Sequence, residues 1–326
     1  MYSEVKNKMK KNMTKDIIGY LVFTMCLLII VVIKAYSYTG VTSLEVLNLE
    51  IGARQIGLAG TYVSVIGDIE GVHYNPSGLR GLDKQVSMMY SKSFADMGYG
   101  SVLYGEGNRV FGLVYFSGGE IELNYSDKPS EMKKAQQDVV LMFGLGKTIW
   151  NLGMNFKYIH SVLVEEVNMQ ALVLDIGKIY DIRIFGRETN IGWVIKNLGY
   201  GITRGGKSSG KDILPLYIPS IIRRYYTYDY LPFGIKTGLS TIIKDKWLLL
   251  TDLIYDVNNF MLYNGIGCEY KHNEKVSFRC GTKYGYKTFI FTGGLGFRVN
   301  KYELDYGFNY NYNLGLTHYM SLGMKW

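Results

Sequence analysis

Proline is scarce in this sequence, at 5 of 326 residues, and cysteine and tryptophan number only 3 and 4. Because proline removes a ladder hydrogen bond, its scarcity leaves room for long uninterrupted strands. Long apolar runs are missing beyond the N-terminal region, which excludes a bundle of membrane-spanning helices. What the chain does contain is 39 glycines and 29 tyrosines, with aromatic residues at 14%. Disordered chains have few aromatics, so this composition predicts curved strands that meet two interfaces.

Residues 1–37 are predicted to be a signal peptide. Lysines precede an uncharged stretch from Ile17 to Ile33, and Ala35 and Ser37 place small residues where a signal peptidase cleaves. We therefore expect cleavage after Ser37 and export of the remaining chain. A retained membrane anchor is the alternative, because the apolar stretch is close to the shortest that spans a bilayer.

The formal net charge of +8 says little about partners. Residues 1–37 hold six lysines against two acidic residues, so about half of the positive excess leaves with the signal peptide. The remainder is spread thinly along the chain. No nucleic-acid partner is predicted.

The region from Lys275 to Trp326 alternates with a period of two. Apolar and aromatic side chains occupy one parity, and charged residues, asparagine and glycine occupy the other. This period places the two sets on opposite faces of a strand. The first set consists of Val276, Phe278, Cys280, Thr282, Tyr284, Phe289, Phe291, Leu295, Phe297, Val299, Tyr302, Leu304, Tyr306, Phe308 and Tyr310. An aromatic-rich face opposite a polar face is typical of a barrel with lipid outside and water inside.

Regularly spaced strand candidates predict an all-β fold, a transmembrane antiparallel β-barrel of about 14 strands over residues 83–326. The candidates begin near Gln85, Tyr99, Arg109, Asp138, Trp150, Val167, Thr189, Phe233, Lys246, Met261, Val276, Phe289, Tyr302 and His318. Short turns are marked by Gly107-Asn108, Lys244-Asp245, His272-Asn273 and Asn300-Lys301. The run from Ile121 to Tyr125 is assigned to an extracellular excursion, and residues 199–232 to a long extracellular insertion.

The chain ends on an aromatic residue. Trp326, Met324 and Leu322 stand at alternate positions, and this ending resembles the C-terminal signal of bacterial outer-membrane barrels. The resemblance implies the barrel-assembly machinery as a partner, outer-membrane lipid around the wall and a location in the cell outer membrane.

Residues 38–82 differ from the strands that follow them. Their pattern is Gly52-Ala53-Arg54, then Gly57, Gly60, Asp68 and Asn75-Pro76-Ser77-Gly78-Leu79. Asn75 before Pro76 favours a type I turn, because the asparagine side chain accepts from the backbone and proline fixes the next φ. The simplest interpretation is a compact loop with a short helix near residues 44–49.

This pattern, the C-terminal strands and Lys196-Asn197-Leu198-Gly199 at an expected strand end resemble PorV/PorQ-type proteins, within the wider FadL/TodX-like group of outer-membrane barrels. The resemblance covers most of the chain, and Ser77 departs from it where relatives usually have alanine. It implies that residues 38–82 form a plug inside the barrel. It also implies a function, either a channel for long-chain fatty acids or other hydrophobic molecules, or a surface scaffold that binds secretion-system proteins.

The strand from Lys246 to Val257 is apolar on both faces, as is the run from Val110 to Phe116. Its inward parity consists of Leu248, Leu250, Asp252, Ile254 and Asp256. Inward apolar residues in an otherwise polar lumen need a partner, which is either the plug or a hydrophobic ligand. These residues favour the channel over the scaffold.

Arg54, Asp68 and Asn75 are the candidate residues of the plug itself. A guanidinium group away from bulk water needs a charged or multiply accepting partner. The candidate partners of Arg54 are Asp68, Glu70, Asp252 and Asp256.

No catalytic, cofactor or metal site is predicted. Gly205, Gly210 and Lys211 match the spacing of a phosphate-binding loop, but Asp212 stands where that loop needs a hydroxyl group for magnesium. The histidines show no metal-ligand spacing, and no serine can be assigned His and Asp partners. We expect the protein not to be an enzyme.

Cys268 and Cys280 occupy the apolar parity of consecutive strands. A hairpin loop centred near Glu274 would place them directly opposite each other and facing lipid. A two-residue turn would instead direct Arg279 into lipid, at a cost of about 2–4 kcal/mol near the midplane. We therefore predict the first register, with two free thiols.

Overall fold

The computed structural model describes residues 44–92, 97–124, 129–148, 150–164, 167–184, 186–204, 226–229, 231–285, 288–312 and 315–326. The predicted signal peptide and residues 38–43 of the predicted plug lie outside the described residues. The same holds for residues 205–225 of the predicted insertion.

The described parts of the chain contain seventeen strands. They are β1 (Leu82–Lys92), β2 (Gly98–Gly107), β3 (Arg109–Ser117), β4 (Glu120–Leu123), β5 (Glu131–Lys134), β6 (Gln136–Leu145), β7 (Gly153–Leu163), β8 (Val167–Ile184), β9 (Arg187–Arg204), β10 (Tyr226–Asp229), β11 (Gly234–Ile243), β12 (Trp247–Asp256), β13 (Met261–Lys271), β14 (Val276–Gly285), β15 (Thr288–Val299), β16 (Tyr302–Asn311) and β17 (Gly315–Lys325).

Fourteen of these strands close into one antiparallel barrel. Each pairs with its neighbours in chain order, and β17 pairs with β1 to complete the circle. The strands β4 and β5 form a separate hairpin in the connection between β3 and β6, and β10 pairs with the end of β9. The predicted 14-strand barrel is confirmed. Observed strand starts differ from the predicted ones by at most three residues.

Two predictions about the end of β9 are wrong. Residues 199–204, predicted to begin the insertion, continue β9, and Lys196–Gly199 lies within this strand rather than at its end. The cause is a β-bulge, in which the register shifts between Leu174 and Ile176 of β8 and Asn197 adopts φ 61°. A bulge absorbs one extra residue and bends the strand, so pairing continues beyond it.

Exposure alternates along the wall as a lipid-facing barrel requires. On β1, Met88 and Tyr90 are 49% and 62% exposed, whereas Met89 between them is buried. Cys268 of β13 pairs with Cys280 of β14, the predicted register, and both thiols are free. The outward faces therefore carry the apolar parity read from the sequence.

Residues 44–81, which we call the inner segment, contain the short helices of the described chain. These are 3₁₀ turns at Glu45–Asn48 and Pro76–Leu79 and α-helices at Ala53–Gly57 and Gly71–Tyr74. Among the described residues, the helices lack the length and the hydrophobicity that a bilayer-spanning helix needs. The inner segment carries the most buried large side chains, including Tyr62, Tyr74 and Leu58 at 0% exposure.

Candidate functional site

Inward-facing glycines form the seat on which the inner segment lies. A Cβ atom on Gly192 would lie 2.2 Å from the carbonyl oxygen of Val63, and one on Gly307 would lie 2.4 Å from that of Ala53. Other glycines of the wall strands and their turns whose Cβ would meet the inner segment are Gly105, Gly144, Gly146, Gly153, Gly177, Gly238, Gly265, Gly267, Gly281 and Gly294. Because backbone contacts backbone around much of the wall, the inner segment has little space to shift as a whole.

A chain of ion pairs connects the inner segment to three strands. Arg54 binds Asp68 at 2.8 Å and Glu269 of β13 at 2.8 Å. Glu269 also binds Arg279 of β14 at 2.7 Å, and Arg279 binds Asp305 of β16 at 2.5 Å. A buried charge needs a paired and hydrogen-bonded partner, and each group in this chain has one.

Two other predicted site residues anchor the inner segment by hydrogen bonds. Asp252 of β12 accepts from the backbone N–H groups of Tyr62 and Val63, at 2.8 and 3.1 Å. Asn75 donates from Nδ2 to the carbonyl oxygen of Val63 at 2.7 Å, and its Oδ1 accepts from the N–H of Ser77 at 3.1 Å. The asparagine side chain therefore holds both its own turn and the neighbouring loop.

Asp68 and Glu70 of the inner segment form a coupled acidic pair. Burial would raise the pKa of Asp68, but hydrogen bonds from Glu70 and Tyr62 and the charge of Arg54 bring it below its ordinary value. Burial and the charge of Asp68 raise the pKa of Glu70 well above its ordinary value. These opposite pKa directions favour the ionised form of Asp68, the partner of Arg54, and the protonated form of Glu70, which accepts from the hydroxyl of Ser87.

The bulge in β9 is held by a fully buried ion pair. Lys157 of β7 binds Asp175 of β8 at 2.8 Å, with the two side chains 1% and 0% exposed. Asp175 also accepts from the backbone N–H of Asn197 at 2.8 Å, and Asn197 donates to the carbonyl oxygen of Pro232 at 2.7 Å. The bulge therefore ties the wall to the residues that precede β11.

Toward the long connections, the side of the lumen lined by β2, β3, β6, β7 and β8 is mainly apolar. The buried residues Leu44, Val46, Leu47 and Ile51 of the inner segment belong to one apolar cluster with inward side chains of the wall. The wall residues of this cluster at that end are Tyr99, Leu103, Val114, Val140, Met142, Ile159, Met169, Ala171 and Val173. Here the inner segment is in contact with apolar side chains rather than with the glycine seat.

The lumen toward the short turns is polar. A cavity of about 600 Å³ lies beside Arg54, Glu269 and Arg279. The turn residues Asn273 and Lys275 also line it. This polar cavity therefore contrasts with the apolar side of the lumen along β2, β3, β6, β7 and β8.

The remaining residues predicted on β12 separate into two groups. Leu250 is 3% exposed and belongs to the apolar cluster, and Leu248 packs against that cluster and lines the polar cavity. Ile254 lies outside the cluster, and Asp256 accepts from Asn259 in the following turn. The candidate role of Asp256 as a partner of Arg54 is wrong, because the guanidinium group binds Asp68 and Glu269 instead.

Glu269 is the functional residue that the sequence reasoning missed. Glu269 is the direct cross-strand partner of Arg279, at the inward parity of β13 and β14. The predicted hairpin register already implied this pair of opposite charges. The missing signal was the position of Arg54 in space, which no local pattern provides.

Comparisons with known proteins agree on the barrel. No known sequence family and no curated protein matches this chain. The Ralstonia pickettii toluene transporter TbuX superposes with a TM-score of 0.55 at 13% identity, over 86% of this chain and 99% of that one. The P. putida toluene transporter TodX gives 0.55 at 11% identity, over 85% and 98%.

The fold is that of the TodX and TbuX barrels. At these identities the likeness establishes the architecture, a 14-strand outer-membrane type of barrel, and leaves residue roles to the side chains of this chain. The structural likeness to TodX and TbuX does not distinguish PorV/PorQ-type proteins from other barrels of this architecture. The resemblance to PorV/PorQ-type proteins therefore stays a prediction.

Proposed function

We propose that this protein is an outer-membrane channel for hydrophobic small molecules. The observation that carries the proposal is the apolar side of the lumen, where Val114, Val140 and Ile159 face inward and are buried at 0–4% exposure. The lumen of a general porin is polar and filled with water. An apolar inner wall suits a solute that leaves water readily.

We propose further that the inner segment is a plug with a fixed part and a movable part. Residues 52–81 are fixed by the glycine seat, the ion pairs of Arg54 and the hydrogen bonds to Asp252. Residues 44–51 contact the wall through apolar side chains and through the ion pair between Glu50 and Lys283. Apolar contacts are not directional, so a hydrophobic ligand can replace the apolar contacts of residues 44–47. Glu50 keeps its place in this proposal, because its removal would leave Lys283 without its partner at a cost of about 3–5 kcal/mol.

The substrates to consider first are toluene and long-chain fatty acids. TodX and TbuX are toluene transporters, and the resemblance to the FadL/TodX-like group implies fatty acids for the wider group. Both kinds of molecule present an apolar surface that matches the cluster around Val140.

Uptake into cells that lack other hydrophobic channels tests this proposal. Cells producing the full chain should take up labelled oleate or toluene faster than cells with an empty vector, while sucrose entry stays unchanged. Val140→Asp should lower hydrophobic uptake because it places a carboxylate in the apolar wall. The matched control is Ser277→Asp, which adds the same group to the polar cavity. Free passage of sucrose with no gain for oleate or toluene would contradict the proposal.

The secretion scaffold remains a second prediction. The insertion predicted at residues 199–232 could serve either function, and its residues 205–225 lie outside the described part of the chain. In that function Val140→Asp would leave activity unchanged.

A further inference from the structure

Three lysines lie over outward-facing aromatic rings at the end of the barrel with the short turns. The distances from ammonium nitrogen to ring centroid are 5.2 Å for Lys84 and Trp326, 5.0 Å for Lys178 and Tyr180, and 5.6 Å for Lys301 and Tyr302. Cation–π contacts have distances below about 6 Å. Trp326 and Tyr302 are 49% and 50% exposed, and Tyr180 follows the buried, inward-facing Ile179. We call these three pairs the basic rim.

The basic rim lies at the level where a barrel meets lipid headgroups. Trp247, Tyr270 and Phe278 are direct partners on β12, β13 and β14, and they add outward rings at the same end. The ring centroids of Trp247 and Tyr270 are 4.5 Å apart. Aromatic girdles of membrane barrels lie at the two interfaces with water, at the depth of the headgroups. The ammonium groups of the basic rim therefore lie among headgroups rather than among acyl chains.

The short turns at this end are basic, whereas the short connections at the opposite end are nearly uncharged. The turn at 244–246 holds two lysines beside one aspartate, and residues 298–301 hold an arginine and a lysine with no carboxylate. At the opposite end, the connections 257–260 and 312–314 carry no charged residue, and 286–287 carries one lysine. The field at the basic rim therefore attracts anions.

The three lysines of the basic rim are available to a partner outside the chain. Carboxylates at this end pair with other cations, Asp181 with Arg80 and Glu303 with Arg298 and Lys325. Among the described residues, none of the ion pairs includes a lysine of the basic rim. A lysine ammonium group has three hydrogen-bond donors and no acceptor, so its natural partner at headgroup depth is a phosphate group.

We propose that the basic rim binds anionic phospholipids of the leaflet that faces the periplasm. The lipid phosphate accepts from the ammonium groups of Lys84, Lys178 and Lys301, and the rings beneath them contact the glycerol and the first carbons of the acyl chains. A zwitterionic phospholipid carries its own cation, which competes with lysine for the phosphate, so the rim favours a headgroup of net negative charge. This inference concerns the outside of the wall and is independent of what passes through the lumen.

Quenching of tryptophan fluorescence by brominated phospholipids tests the inference. The purified full-length protein is reconstituted in vesicles of equal parts phosphatidylglycerol and phosphatidylcholine, with one lipid or the other brominated. Bromine quenches an indole on contact, and Trp326 and Trp247 lie at the level of the rim. We expect phosphatidylglycerol to bind about threefold more tightly than phosphatidylcholine at low salt. The preference should fall at high salt, because ions screen exposed charges.

A triple glutamine variant assigns the preference to the rim. Lys84→Gln, Lys178→Gln and Lys301→Gln together should lower the ratio of the two affinities to about one. The matched control is Lys92→Gln, Lys133→Gln and Lys134→Gln, which removes the same charge at the opposite end and should keep the ratio. The three arginine substitutions at the rim positions retain the cations and should also keep it. Should the triple glutamine variant not assemble, Lys301→Gln alone, at a turn, should lower the ratio in part.

Four outcomes would overturn the inference. Equal affinity of the unchanged protein for the two lipids would exclude a preference for anionic headgroups. An unchanged ratio in the triple glutamine variant would place the lipid site elsewhere on the wall. An equal loss in the control variant would attribute the preference to the net charge of the protein rather than to the rim. Binding of polyglutamate to the rim without any lipid preference would assign the rim to a soluble acidic partner. Each outcome leaves the uptake of hydrophobic molecules untouched.

Discussion

Arg54 of the inner segment and Glu269 of β13 are joined by two hydrogen bonds, 2.8 Å from Nε to Oε2 and 2.9 Å from Nη2 to Oε1. This bidentate contact connects the short helix Ala53–Gly57 of the inner segment to β13, and Glu269 in turn binds Arg279 of β14. Planar guanidinium and carboxylate groups match in this geometry, and a lysine at position 54 would not reproduce it.

Arg54→Met should destabilise the folded barrel by about 3–5 kcal/mol. The substitution removes the ion pairs of Arg54 with Asp68 and Glu269 and leaves both carboxylates without this cation. Urea unfolding of the refolded protein in detergent measures this. Arg183→Met is the matched control, since Arg183 pairs with Glu188 at 3.6 Å on the surface. Equal unfolding midpoints for the two variants would contradict a structural role for the Arg54 contact.

Gly192→Ala should destabilise the protein by about 1–3 kcal/mol, the usual range for overpacking. The added Cβ would lie 2.2 Å from the carbonyl oxygen of Val63, so the backbone of β9 or of the inner segment would have to shift. Gly234→Ala is the control, because its Cβ would lie 3.4 Å from the carbonyl oxygen of Tyr255. Limited proteolysis of residues 44–81 should increase in the first variant only. Protection of both variants would show that the inner segment does not depend on the glycine seat.

Glu70→Gln should make stability less dependent on pH. The pKa of Glu70 is raised by burial and by Asp68, so the folded state keeps a proton that the unfolded chain releases above its ordinary pKa of 4.5. The folded state then binds more protons, and the free energy of unfolding falls as pH rises from 4.5 toward the raised pKa. Urea unfolding at pH 5 and pH 8 should show a smaller decrease for the variant. The exposed Glu122 supplies the control Glu122→Gln, and an unchanged slope in Glu70→Gln would refute the assignment.

Trp326→Asp should block barrel assembly while export continues. The N–H of Trp326 donates to the carbonyl oxygen of Lys84 at 3.0 Å, and the Lys84 ammonium lies 5.2 Å from the indole centroid. These contacts lie where β17 meets β1 and removes the last open edge of the sheet. Heat-modifiable migration of outer-membrane fractions reports assembly. Tyr312→Asp, at a residue 82% exposed near the other end, should assemble normally. Normal assembly of Trp326→Asp would contradict the prediction.

Nitroxide labels on Cys268 and Cys280 should both report a lipid environment. The two residues are direct partners on outward faces, so their labels should collide with dissolved oxygen more often than with a water-soluble nickel complex. A label placed by Ser277→Cys, on the inward parity and in a protein without the two native cysteines, should show the opposite preference. Equal accessibility at all three sites would contradict the assigned faces.

The strands and their faces were predictable because a period of two in the sequence determines which side chains share a face. The same parity, with the cost of charge in lipid, predicted that Cys268 would lie opposite Cys280. The end of β9 was not predictable in this way. A buried pair between Lys157 and Asp175 holds the bulge there, and residues so far apart along the chain leave no local pattern.

The sequence by itself determined the barrel, its register and the chemical character of its two faces, since these follow from alternation along each strand. Tertiary structure alone decided which inward residues meet the inner segment. Arg54 had four candidate carboxylates in the sequence, and the structure pairs it with Asp68 and with Glu269, a residue of β13. Barrel closure places residues from distant strands at the same height in the lumen. Which residues share a height depends on the register of every strand pair between them.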